Sequence, residues 1–134
     1  MAELSKSAKL ARLVKVQRHL EHMAENDLAA TTKARAELAD DLDAVVDAIG
    51  SVDSVHQLFT SIYSGQISRL TAKDQHLQTV QEIQEQKILR EKAKADRLAE
   101  RQHEARQAED GEYQERAIQE LLDIHLALRV PGHG

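Results

Sequence analysis

Apolar residues recur along the first third of the chain at three-and-four spacing. Leu10, Leu13, Leu20, Ala24, Leu28, Leu38, Leu42, Val45 and Ile49 fall on the series 10, 13, 17, 20, 24, 28, 31, 35, 38, 42, 45, 49. Gln17, Thr31 and Arg35 are the polar exceptions, so nine of twelve positions hold, enough to fix a helical period. The stripe is narrow, as a two-stranded seam requires and a globular helix does not. Two successive steps of four, at 20, 24 and 28, predict a stutter that locally relaxes a left-handed supercoil. A second series opens with Val55, Leu58, Phe59, Ile62, Tyr63, Ile67 and Leu70 and continues through Leu77, Val80, Ile83 and Ile88. It thins between residues 89 and 116, and resumes with Ile118, Leu121, Leu122, Ile124, Leu126 and Leu128 before Pro131 ends it.

Between the two series lies Ile49-Gly50-Ser51-Val52-Asp53-Ser54. Gly50 can take the left-handed conformation that closes one helix, and Ser51, Asp53 or Ser54 can cap the next. A connection this short makes neighbours antiparallel. The pattern therefore predicts an all-α chain: a two-helix antiparallel coiled-coil hairpin with a longer second helix, forming a single domain over 1–134. Its parts are a helix at 4–49, a turn at 50–54, a helix at 54–129 and a disordered tail at 130–134. Helix one spans roughly 70 Å at about 1.5 Å per residue, and helix two over half as long again. The last thirty residues then overhang the hairpin, fold back after Gly111, or pair with another chain, and the overhang is the favoured arrangement. Asp110-Gly111 is a point where the second helix can kink or fray, at a cost of about 1 kcal/mol relative to Ala.

Composition supports this and narrows the function. Charged residues make up 31% of the chain and aromatics 2%, with no Trp and no Cys. That suits a coiled coil, excludes thiol and disulfide chemistry, and agrees with a reducing, cytoplasmic setting. No apolar run is long enough for a membrane span or a secretory signal. The net charge of -5 hides an asymmetry: residues 1–20 carry five basic and one acidic residue, residues 21–53 two basic and nine acidic. Arg12, Lys15 and Arg18 lie on the side of the first helix away from its leucines. Without aromatic interleaving or a Gly-rich loop, and with acid following at once, they do not describe a nucleic-acid surface.

Catalytic and metal chemistry find little support. His19 and His22 stand three apart on a helix but lack a four-ligand set, so solvated histidines describe them better than a metal pair. Asp40 with Asp41, and Glu109 with Asp110, sit on helix surfaces without the cleft that would tune an acid or base. No enzyme, cofactor or small-molecule substrate is expected. Phe59 and Tyr63 are the sharpest local signal, two of three large aromatics one turn apart. They either plug the seam at its tip or present a knob to a partner.

The order of features completes the reading: a long helix, a turn, Phe59 with Ile62, Tyr63 and Ile67, a Gln-rich stretch, the run Leu89 to Arg101, and the ending Gln114 to Leu122 with Leu128-Arg129. This resembles the FliJ family of flagellar export proteins, related to stalk proteins of other type III secretion systems, over nearly the whole chain. The resemblance implies a rod that enters the pore of a hexameric export ATPase. It also implies contacts with a membrane export-gate protein and with export substrate chaperones. Such a protein is cytoplasmic and peripherally associated with the inner face of the cell membrane. By position, the ATPase-binding end comprises Leu10, Arg12, Leu13, Lys15, Ile118, Leu121, Ile124 and Arg129, and the gate-facing patch Phe59 and Tyr63. The chain departs from the family's pattern at Tyr63, Gln66 and Leu70, at Gln119-Glu120, and in a shorter first helix. The rival expectation, from a different class, is a structural coiled coil that self-associates or scaffolds partners through its C-terminal apolar seam.

Overall fold

Two helices account for almost all of the chain in the computed structural model, which describes residues 3–50 and 59–129. Helix α1 runs Lys6–Ile49 and helix α2 Thr60–Arg129. Ser5 starts α1: its hydroxyl accepts the Ala8 amide at 3.2 Å while its carbonyl accepts the first helical bond, from Lys9, which is the N-cap arrangement. The fold is the all-α helical hairpin with a longer second helix that the apolar period predicts. Residues 51–54 of the turn expected at 50–54, the expected start of the second helix before Phe59 and the expected tail at 130–134 lie outside the described residues.

Gly50 corrects one expectation. No described glycine has a positive φ, and the Gly50 amide donates to the Val46 carbonyl at 3.0 Å, continuing the helical pattern. At Gly111, where kink, fraying and a straight helix were all open, α2 passes through as unbroken helix. A Cβ at Gly111 would meet nothing within 4 Å. Gly111→Ala is therefore expected to stabilise this stretch by about 1 kcal/mol through helix propensity. Amide exchange at residues 110–118 should slow by roughly fivefold.

Internal contacts divide the chain into two units, residues 1–17 with 94–134 and residues 18–93. In each, α1 and α2 are antiparallel neighbours. In the first unit Ser7 faces Glu109. In the second Arg35 faces Gln81, four heptads forward on α1 and four heptads back on α2, so the same register is read in both.

The inward-facing row of α1 is Ser7, Leu10, Val14, Gln17, Glu21, Ala24, Leu28, Thr31, Arg35, Leu38, Leu42, Val45 and Ile49, each buried or half-buried. On α2 it is Tyr63, Ile67, Leu70, Asp74, Leu77, Gln81, Gln84, Ile88, Glu91, Ala95, Leu98, Gln102, Ala105 and Glu109. Both rows step strictly by three and four. The expected stutter is absent, and Leu13 and Leu20 are 52% and 43% exposed rather than in the seam. The physical reason is that a stutter on one strand needs a matching break on its partner, and α2 has none. The seam keeps its phase by accepting Glu21 and Val14 in place of the two leucines. Burial is deepest at small residues, Ala24 at 3% and Ala95 at 0%, where the backbones can approach closely.

Candidate functional site

The chemistry of the first unit concentrates where α1 begins. An α-helix leaves its first four N–H groups unpaired, and its dipole favours an anion there. Glu109, projecting from α2, supplies that anion. Its Oε1 accepts the Ser7 amide at 3.0 Å and its Oε2 accepts the Ser7 hydroxyl at 2.5 Å. The hydroxyl bond first, then the amide bond, hold the Glu109 carboxyl below the ordinary glutamate range. A carboxyl depressed in the folded state stabilises it above the unfolded value of 4.5, and that contribution disappears as pH falls through the lower folded value. Protection of the Ser7 amide is therefore expected to persist down to about the ordinary glutamate value and collapse only in more acid solution. In Glu109→Gln the protection should be weaker and lose this step; NMR-detected exchange reads both.

Beyond Glu109, α2 has no α1 beside it. The projecting segment, Asp110 to Arg129, is about 30 Å long. Continuing the α2 heptad past Glu109 gives Glu112, Arg116, Gln119 and Asp123, all polar, and then Leu126. Ile118, Leu121, Ile124 and Leu128 occupy a different face, so they do not resume the seam as the sequence pattern suggested; Leu126 falls on the seam row. Ile118, Leu121, Ile124 and Leu128 are all exposed, Leu128 at 81%. From Asp110 onward five acidic residues stand against two basic ones, so an apolar stripe is backed by an acidic face.

The sequence-derived ATPase-binding residues all belong to this unit, but they form two patches. Leu10 is half-buried in the seam, while Arg12, Leu13 and Lys15 are exposed on α1. Ile118 lies nine residues past Glu109, about 14 Å further along α2, and Arg129 further still. A groove beside the α1 patch is lined by Gln17, Lys94, Arg97, Leu98 and Arg101, giving it a basic wall. Sequence reasoning missed both this wall and the Glu109 cap; the only local signal was the three-and-four spacing of Lys94, Arg97 and Arg101.

In the second unit the presumed aromatic pair separates. Phe59 is 44% exposed, as is its neighbour Ile62 at 52%, whereas Tyr63 is half-buried in the seam row. Further along the row, a polar belt interrupts the apolar residues. Arg35 donates Nε to Asp74 Oδ1 at 2.9 Å and Nη2 to Oδ2 at 3.2 Å, and Nη1 to Gln81 Oε1 at 2.9 Å. This fork holds the Asp74 carboxyl below, and the Arg35 guanidinium above, their ordinary values. Gln84 Oε1, next along the row, is buried with no hydrogen-bond partner. A bidentate pair flanked by an orphan acceptor fixes register rather than contributing much stability.

Among the described residues no three His, Cys, Asp or Glu side chains are placed to share a metal ion, and no helix is long and apolar enough to cross a membrane. His22 is exposed and lies 3.7 Å from Glu25. Comparison with protein-family models, with curated proteins and with solved structures finds no match.

Proposed function

We propose that this chain is a non-catalytic stalk and escort protein of a type III export apparatus, of the FliJ kind, working with a hexameric export ATPase. The observation that carries the reading is the projecting segment of α2: an amphipathic helix whose apolar face has no partner among the described residues of its own unit, next to the basic first turns of α1. Such a face serves contact with another macromolecule. Ile118, Leu121, Ile124 and Arg129 engage the ring through this segment, while Arg12, Leu13 and Lys15 provide a second, separate contact. An asymmetric ligand in a six-fold ring touches its subunits unequally. It therefore shifts their nucleotide states by differential affinity.

The gate contact is assigned to Phe59 with Ile62, since Tyr63 is largely committed to the seam. Chaperones of export substrates and the cytoplasmic face of the membrane complete the set of proposed neighbours. The test is a pull-down with a hexameric export ATPase together with a turnover assay. Binding with a change in turnover is expected; neither binding nor any change would remove the proposal.

A further inference from the structure

In an antiparallel pair of right-handed helices, the residues that precede the inward positions of both helices line one and the same flank. In the first unit these are Lys6, Lys9, Leu13 and Val16 on α1 and Lys94, Arg97, Arg101 and Glu104 on α2, all eight exposed. Five cations therefore stand against one carboxylate. The other flank, with Ala8, Ala11 and Lys15 facing Asp96, Ala99, His103 and Arg106, carries two cations and one carboxylate, so the charge is one-sided. Among the described residues Lys6, Lys9, Arg97 and Arg101 form no ion pair, and nothing within the unit neutralises them. Lys94, Arg97 and Arg101 also wall the groove over Gln17 and Leu98. By the Ser7–Glu109 register the flank runs about 24 Å, with Lys6 and Lys9 at one end and Arg101, Arg97 and Lys94 at the other. Leu13 and Val16, 52% and 59% exposed, lie between them.

We infer that this flank binds an anionic phospholipid surface. Its occupant has to answer an excess of positive charge at both ends of the flank and take up two aliphatic side chains in the middle. A lipid leaflet does both at once. Headgroups meet the cations, whose aliphatic stems let the charged tips stay at headgroup level, while Leu13 and Val16 enter the boundary with the acyl chains. A third helix would need an apolar residue at each turn of the surface that seats it. Here the apolar contact comes from two residues of α1, and α2 offers charge alone. A nucleic acid brings phosphates but nothing for the aliphatic pair. The inference deepens the membrane contact proposed above and rests on that reading for its setting. The ATPase contacts are a separate claim, although Leu13 serves in both and the two partners compete for it.

The chain has no tryptophan, so a single introduced one reports its own surroundings. In the full chain, Val16→Trp is expected to shift its emission to the blue when vesicles of equal parts phosphatidylglycerol and phosphatidylcholine are added. His103→Trp, on the other flank, is expected not to shift. Co-sedimentation of the unaltered chain with the same vesicles should be strong at low salt and fall steeply as salt rises, and vesicles of phosphatidylcholine alone should retain little. Arg97→Glu with Arg101→Glu should weaken retention by roughly twenty-fivefold or more, about fivefold for each cation lost. Arg106→Glu with Arg116→Glu makes the same change in net charge away from this flank and should cost less than about fivefold. All these positions are exposed, and circular dichroism confirms that the variants stay helical. No retention on the anionic vesicles, equal retention on the neutral ones, equal losses from the two double variants, or equal blue shifts at positions 16 and 103 overturns the inference. Retention on soluble poly-glutamate without retention on vesicles also overturns it, and assigns the flank to an acidic protein. Hexamer binding is read separately by the pull-down, so a failure here leaves that reading untouched.

Discussion

Leu38→Asp is expected to unfold the second unit. Leu38 is 8% exposed, the most buried large apolar side chain among the described residues of that unit's seam, and lines a groove with Leu42, Leu70 and Asp74. By register it faces Leu77. On one side the seam is already polar, with Arg35 opposite Gln81, so Leu38 heads the apolar run that continues through Leu42, Val45 and Ile49. A carboxylate there loses about 2 kcal/mol of side-chain burial. It also adds an uncompensated charge, at a cost of about 3–5 kcal/mol, close to an Asp74 carboxylate that already occupies the nearest cation. The sum rivals the whole stability of an ordinary domain. Thermal unfolding followed by circular dichroism reads the loss. Leu20→Asp is the companion measurement: at 43% exposure it should shift stability by only about 0.5 kcal/mol. Equal losses from the two variants would return Leu20 to the seam and restore the stutter.

That contrast shows what the sequence made legible. Fold class followed from period alone, because few other architectures tolerate about forty residues of three-and-four spacing, kept at nine of twelve positions, with so few aromatics. Seam phase near the N-terminus did not. Hydrophobicity prefers Leu13 and Leu20 to Val14 and Glu21, but phase is set by pairing along the whole length of both helices, and that information is not local. The α2 row is harder still to read. Asp74, Gln81, Gln84, Glu91, Gln102 and Glu109 occupy six of its fourteen inward positions, so the apolar signal between residues 89 and 116 falls below recognition. Glu109 illustrates the consequence. As one of two adjacent carboxylates it looked like solvated surface, and only the register shows that it caps the other helix.

The candidate site was half legible for a related reason. That residues 118–128 are apolar and end the chain's helical pattern is visible in the sequence. That all of them but Leu126 leave the seam face is not, since it depends on the phase of the α2 row, which only the pairing with α1 reveals. The polar continuation Glu112, Arg116, Gln119 and Asp123 is the decisive clue: a helix meant to extend the hairpin would keep its apolar residues on that face.

Replacing Ile118, Leu121, Ile124 and Leu128 together by Gln is expected to leave the hairpin intact and abolish ATPase binding. None of the four packs against α1, and Gln is a good helix former, so each change should move stability by no more than about 0.5 kcal/mol. For a partner the same residues are the anchors. Apolar anchors at an interface centre are worth roughly 1–2 kcal/mol each, so losing four should weaken binding by at least a hundredfold and remove the change in turnover. Leu122 and Leu126 provide the control: they are 50% and 59% exposed and lie on the edge of the apolar face next to the polar side. Leu122→Gln with Leu126→Gln should cost about tenfold or less, because rim residues exclude water without anchoring. Binding titrations against the assembled hexamer separate the cases. Equal losses from the two sets would mean that greasiness alone, and not one face of this helix, is being recognised, and the docking geometry proposed for the stalk would have to be abandoned.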